Sequence, residues 1–161
     1  MVNRGPVLAA VLLLAFAVPT LAQEKFGDKR VYHTLKSEAI PIADKEGHVL
    51  VVSETRGYDL QRGSNAVNRV VGDLIKGNGR TFGYGTLTET DGDLLYYSFE
   101  GKVTTLTGST GKPSTSAEGT WMSTGGTGKW KDREARGTWK NATVAPDTSL
   151  AEWEGTWQLK K

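Results

Sequence analysis

Gly-Thr-Trp occurs three times in this chain, ending at Trp121, Trp139 and Trp157, with an even spacing of 18 residues in a sequence that has only five tryptophans. Around each copy, polar residues alternate with apolar residues or glycine. Ala135, Gly137 and Trp139 alternate with Arg136, Thr138 and Lys140; Trp153, Gly155, Trp157 and Leu159 alternate with Glu154, Thr156, Gln158 and Lys160. A period of two belongs to a strand with one face turned inward. The repeat therefore predicts neighbouring antiparallel strands whose tryptophans and glycines share the inner face. No stretch of residues 23–161 sustains an apolar period of 3.6, so the chain reads as all-β.

The spacing can be tested by setting Thr120, Thr138 and Thr156 side by side. The two connecting turns then centre on residues 129 and 147, where the chain reads GGTGK and APDTS. Both are turn chemistry, one rich in glycine and one a Pro-Asp turn. The same register sets Lys140 between Glu118 and Glu154 on the outer face, a cross-strand row worth roughly 0.2–1 kcal/mol per pair. Inside, it sets Trp139 between Gly119 and Gly155, with Trp121 and Trp157 opposite Gly137. Each indole faces a residue without a side chain, which leaves room for a wide ring inside a curved sheet.

Upstream, Asp91-Gly92 separates two alternating runs, the dipeptide of a two-residue hairpin turn. Centring the pairing there opposes Tyr84 to Phe99, Thr86 to Tyr97 and Phe82 to Gly101, and leaves Leu87, Leu94 and Tyr96 on the outer face. The TDGD segment lacks the ligand spacing of an EF-hand loop, so it reads as a plain turn. Earlier strand candidates are VYHTLKSEA, HVLVVSETRGY and AVNRVVGDLI. With about eight strands, short turns and no helix to cover an edge, the expected fold is a closed eight-stranded antiparallel up-and-down barrel. Its interior would be filled by side chains or hold one small ligand.

Arg4, the apolar run VLAAVLLLAFAV and the small residues Thr20 and Ala22 read as a secretory signal peptide over residues 1–22, cut after Ala22. The apolar run is too short to span a bilayer, so the expectation is an exported protein, periplasmic or extracellular, with one β-barrel domain over residues 23–161 and no membrane insertion after cleavage. Formal net charge is only +2, with both signs mixed along the chain, so no nucleic-acid partner is expected. The sequence has no cysteine and two histidines, His33 and His48, which rules out thiolate chemistry and gives no metal-ligand pattern. No metal or other cofactor is expected.

Three segments together, GGTGKWKDREARGTW, the GYG…TDGD hairpin and GHVLVVSETRG, resemble the exported bacterial members of the allene oxide cyclase-like barrel superfamily, which also contains the plant dirigent proteins. The resemblance covers about Gly47 to Trp157. It implies an eight-stranded barrel, often associated into oligomers, with a largely apolar cavity that in the plant enzymes steers cyclisation or coupling of reactive apolar molecules. The chain departs from that pattern at Asp132, Arg133 and Glu134, where relatives often carry a small or apolar residue after the turn.

On these readings Phe82, Phe99, Trp121, Trp139 and Trp157 are candidate walls of a pocket for a small apolar or aromatic ligand. In HVLVVSETR, His48, Leu50, Val52, Glu54 and Arg56 share one face, and alternation alone does not say whether it looks inward. If it does, Glu54 and Arg56 could move a proton or hold charge on a bound molecule, with Tyr84 and Tyr97 as hydrogen-bond donors. Three readings remain open: a binding barrel that holds or steers a small molecule, an isomerase or cyclase acting on one, and a structural envelope protein with a filled core. The outer apolar positions Leu87, Leu94 and Tyr96 add the expectation of a homo-oligomer.

Overall fold

The computed structural model describes residues 24–107 and 111–160. The expected signal peptide, residues 1–22, lies outside the described residues. Eight strands follow one another: β1 (Glu24–Pro41), β2 (His48–Asp59), β3 (Asn65–Ile75), β4 (Asn78–Thr88), β5 (Leu94–Thr107), β6 (Pro113–Gly126), β7 (Arg133–Ala145) and β8 (Thr148–Leu159). A single 3-10 turn, Gly128–Trp130, interrupts them between β6 and β7. Every strand pairs antiparallel with its sequence neighbours, and β1 pairs with β8, so the sheet closes into an up-and-down barrel. The all-β architecture expected from the sequence is the architecture of the chain.

The Gly-Thr-Trp register holds between β6 and β7. Trp139 is opposite Gly119, Trp121 opposite Gly137, and Lys140 opposite Glu118. Between β7 and β8 the pairing slides by two residues, because the turn is the dipeptide Pro146-Asp147 and a bulge lies between Thr143 and Ala145. Asp147 takes the left-handed backbone region that such a tight turn requires (φ 57°). Trp139 therefore faces Trp153, Gly137 faces Gly155, Trp157 faces Ala135, and Lys140 has Glu152 as its neighbour in place of Glu154. A slide of two keeps every side chain on its expected face.

The β4–β5 pairing differs from expectation by one residue, and that difference reverses faces. The connection is the five-residue loop 89–93, closed by Glu89 N–H donating to Asp93 O at 2.9 Å, in place of a two-residue turn at Asp91-Gly92. Gly83 is opposite Phe99, Gly85 opposite Tyr97 and Thr81 opposite Gly101. Phe82 and Tyr84 therefore point outward, and Leu87 points inward into the core.

The barrel interior is packed with rings, most of them seated against a glycine. A methyl group on Gly101 would lie 2.7 Å from Trp139 Cζ2, one on Gly155 2.6 Å from Trp121 Cζ2, and one on Gly83 2.7 Å from Phe99 Cζ. Tyr97 over Gly85 and Tyr32 over Gly57 repeat the arrangement. Around Trp153, the rings of Trp139, Trp121, Phe99 and Tyr97 lie with centroids 5.6 to 6.4 Å away, mostly edge to face, the arrangement their quadrupoles favour. One half of the barrel is thus a solid aromatic core. The inner face near the opposite end carries smaller side chains such as Val51, Gly72 and Ala117.

Candidate functional site

The closed sheet decides which face of each strand looks inward. In β2 it is the face of Ser53, Thr55, Gly57 and Asp59, since Gly57 lies against the Tyr32 ring and Asp59 is fully buried. Glu54 and Arg56 are on the outer face, where Glu54 pairs with Arg69 of β3 at 3.2 Å. Tyr84, two-thirds exposed, and Phe82 are also outside. Of the residues read from the sequence as catalytic, only Tyr97 is inside the barrel. Of those read as pocket walls, Phe99, Trp121 and Trp139 are inside, while Trp157 is half-buried near the end of β8, with the Arg133 guanidinium 3.7 Å over its ring.

The interior does hold ionisable chemistry, but on β1. Phe26, Asp28, Arg30 and Tyr32 alternate into the barrel, and Asp28 and Arg30 form a buried ion pair. Arg30 also lies over the Trp153 ring, 5.9 Å from its centroid, and stands opposite Asp59 across the strand pair. Tyr97 donates its hydroxyl proton to Asn68 Oδ1 at 2.6 Å. Asp59 is committed to the loop that follows it, its Oδ1 accepting from the backbone N–H of Gln61 (2.7 Å) and Arg62 (2.8 Å).

The electrostatics follow from this burial. Desolvation raises the Asp28 pKa above its ordinary value; Arg30 opposes the shift and Asp59 adds to it. Burial by itself disfavours the Arg30 charge, yet Tyr32 and Asp28 beside it outweigh that and hold the guanidinium protonated. Burial, reinforced by Tyr32, pushes the Tyr97 phenol well above its usual range, so it remains a donor. Five atoms in this region have no hydrogen-bond partner among the described residues: Asp28 Oδ1, Arg30 Nε, Tyr32 Oη, Asp59 Oδ2 and Trp153 Nε1.

Asp28, Arg30, Tyr97 and Trp153 line a void of about 20 Å³, together with Trp121, Leu87 and Leu95. That is room for about one water molecule. Phe26, Arg62 and Trp130 also line it. Arg62, from the β2–β3 loop, lies over Phe26 and donates to Gly27 O at 3.3 Å. Trp130, from the turn after β6, donates its indole N–H to Glu89 at 3.2 Å. The turn itself is tied to the β4–β5 loop, because Lys129 N–H donates to Asp93 Oδ2 (2.8 Å) and Leu94 N–H to Thr127 Oγ1 (2.9 Å).

Such a site can hold an acceptor group against Arg30 and Trp153 and a donor group against Asp28, in a buried setting where each hydrogen bond is stronger than in bulk water. Among the described residues no group of three or more His, Asp and Glu side chains is placed to hold a metal ion. Sequence reasoning missed Asp28, Arg30 and Trp153. A carboxylate and a guanidinium on an inward face look, in the sequence, like an outward one. Neither the family models nor the curated proteins compared with this chain match it.

Proposed function

We propose that the chain is a small-molecule-binding barrel whose site is the polar end of its interior, at Asp28, Arg30, Tyr97 and Trp153. One observation carries this reading: three residues that line the void each hold a buried polar atom without a partner. Leaving such a group unpaired costs about 1–3 kcal/mol, and a buried ion pair adds little net stability. A purely structural barrel gains nothing from these features, whereas a binding site does, because a ligand supplies the missing partners. The ligand is a small, flat, largely apolar molecule with an acceptor group for Arg30 and Trp153. It enters by displacing Trp130 or Phe26, since the void alone is far below the roughly 300 Å³ of an ordinary ligand pocket.

A second reading, an isomerase or cyclase, is favoured by Asp28, whose carboxyl is pushed above its ordinary pKa by burial although Arg30 pulls the other way, the direction that suits a group exchanging a proton with a bound molecule. The closed eight-stranded barrel and the Gly125–Trp130 turn support placing the chain with the allene oxide cyclase-like superfamily. Export is supported by the sequence of residues 1–22, where Arg4, an apolar run too short to span a bilayer and the small residues Thr20 and Ala22 follow one another.

The test is native mass spectrometry of protein purified from its own host, followed by denaturation and identification of whatever is released. A stoichiometric apolar compound, absent from the Arg30→Met protein, is the expected result. Protein that is empty, and whose tryptophan fluorescence is unmoved by a panel of phenols and apolar carboxylic acids, would rule the reading out.

A further inference from the structure

The outside of the barrel carries a second feature, built mainly from outward-facing side chains. An open groove of about 1370 Å³ crosses the strands from β4 to β1. Measured round the curved outer surface at the usual strand spacing, it follows an arc of about 24 Å. Short hydroxyl side chains occupy its middle: Ser98, Thr120, Thr138 and Thr156, one each from β5, β6, β7 and β8. Phe82, Tyr84 and Met122 stand at the β4–β6 side, 43%, 66% and 57% exposed. Three cations and three carboxylates also line it: Lys25, Arg80 and Arg136 against Asp73, Glu100 and Glu154.

We infer that this groove binds an electrically neutral oligosaccharide. A long open trough suits a chain molecule, since a compact ligand would leave most of it in water. The balanced charges give no field to attract a polyanion or a polycation. Exposed rings and a thioether match the apolar faces of pyranose rings, while the threonine hydroxyls and the alternating guanidinium and carboxylate groups match sugar hydroxyls. An extended peptide joins a sheet through an open edge, and this barrel closes on itself. In a two-fold contact a second copy would meet this groove with its own, leaving two hollows face to face, and in any contact the charges would lie at the centre, where interfaces are depleted of them.

The test is an amide NMR titration of the ¹⁵N-labelled protein with cellohexaose, xylohexaose and mannohexaose, and with a hyaluronan hexasaccharide as the anionic control. Saturable shifts at Thr120, Thr138 and their neighbours are expected with at least one neutral sugar and not with hyaluronan. Tyr84→Ala and Thr138→Lys, both at exposed positions, should weaken binding at least tenfold while leaving the interior amides in place. The double variant Asp28→Asn/Arg30→Met, which removes both interior charges together and so leaves neither one buried alone, should leave sugar binding unchanged, which separates this site from the interior one. If no neutral hexasaccharide at millimolar concentration moves these amides, the inference fails. It also fails if they move with protein concentration alone, which would make the groove a contact between copies.

Discussion

The Trp139 ring lies against Gly101, two strands away, reaching across Gly119 on the strand between them. A methyl group at Gly101 would press on the ring at 2.7 Å and also on the backbone of Glu118. Neither can move freely in a closed sheet. Gly101→Ala should therefore destabilise the protein by about 1–3 kcal/mol through overpacking. Trp139→Ala, which empties the same space, should cost about 3–5 kcal/mol. Urea unfolding midpoints measure both, and a neutral Gly101→Ala would show that the ring is not seated there.

The buried pair on β1 should behave asymmetrically. Arg30→Met leaves the Asp28 carboxylate without its cation and should cost about 3–5 kcal/mol near neutral pH. In that variant nothing opposes the desolvation that already raises the Asp28 pKa. A carboxyl raised in the folded state favours folding at low pH, and that contribution is lost as pH rises through the folded value. The deficit of Arg30→Met should accordingly shrink on acidification toward pH 4, and the double variant Asp28→Asn/Arg30→Met should recover most of it at pH 7. A deficit that stays the same at all pH values would mean the pair is not buried as described.

His48 bridges two carboxylates on the outer face, Asp44 in the β1–β2 turn and Asp73 on β3, the latter at 2.7 Å. Asp44 first, then Asp73, raises the His48 pKa, and His48 in turn lowers that of Asp44. A raised histidine stabilises the fold below 6.5 and ceases to as pH rises through its folded value. The lowered Asp44 stabilises above 3.8 and ceases to as pH falls through its own. The clasp should therefore be strongest between those limits. Proton NMR titration of His48 should give a pKa above 6.5 that falls toward it in Asp73→Asn; an unchanged value would dissolve the bridge.

Tyr84 and Tyr97 separate the expected site from the observed one. Tyr84→Phe should change stability by less than about 0.5 kcal/mol, as exposed substitutions do. Tyr97→Phe removes the donor to Asn68 Oδ1 and should cost about 1–3 kcal/mol. Thermal unfolding of the two variants side by side decides which tyrosine is inside.

Strands and closure were legible because alternation and turn chemistry agreed over most of the chain. The register was less so, and parity explains where it mattered. At Pro146-Asp147 the error was two residues, so Trp139 and Gly155 kept their faces although their partners changed. At loop 89–93 the error was one residue, and it moved Phe82 and Tyr84 from the interior to solvent. Nothing local distinguishes a two-residue turn at Asp91-Gly92 from a five-residue loop in which Asp93 also holds Lys129, because that partner is 36 residues away in sequence. The interior charges were hidden for a different reason. In FGDKRVY both faces of the strand carry charge, so periodicity has no contrast to report.

The seam between β1 and β8 sets the order of events in folding. Seven of the eight strand pairs are hairpins that can form as soon as both arms exist, but Glu24 meets Trp157 only when nearly the whole barrel sequence is present. Until then β1 and β8 are open edges, and the ionic and aromatic groups of β1 are in water. Assembly of the Asp28–Arg30–Trp153 cluster is therefore the same event as ring closure. A chain that has lost its final strand has no partial version of that site to offer.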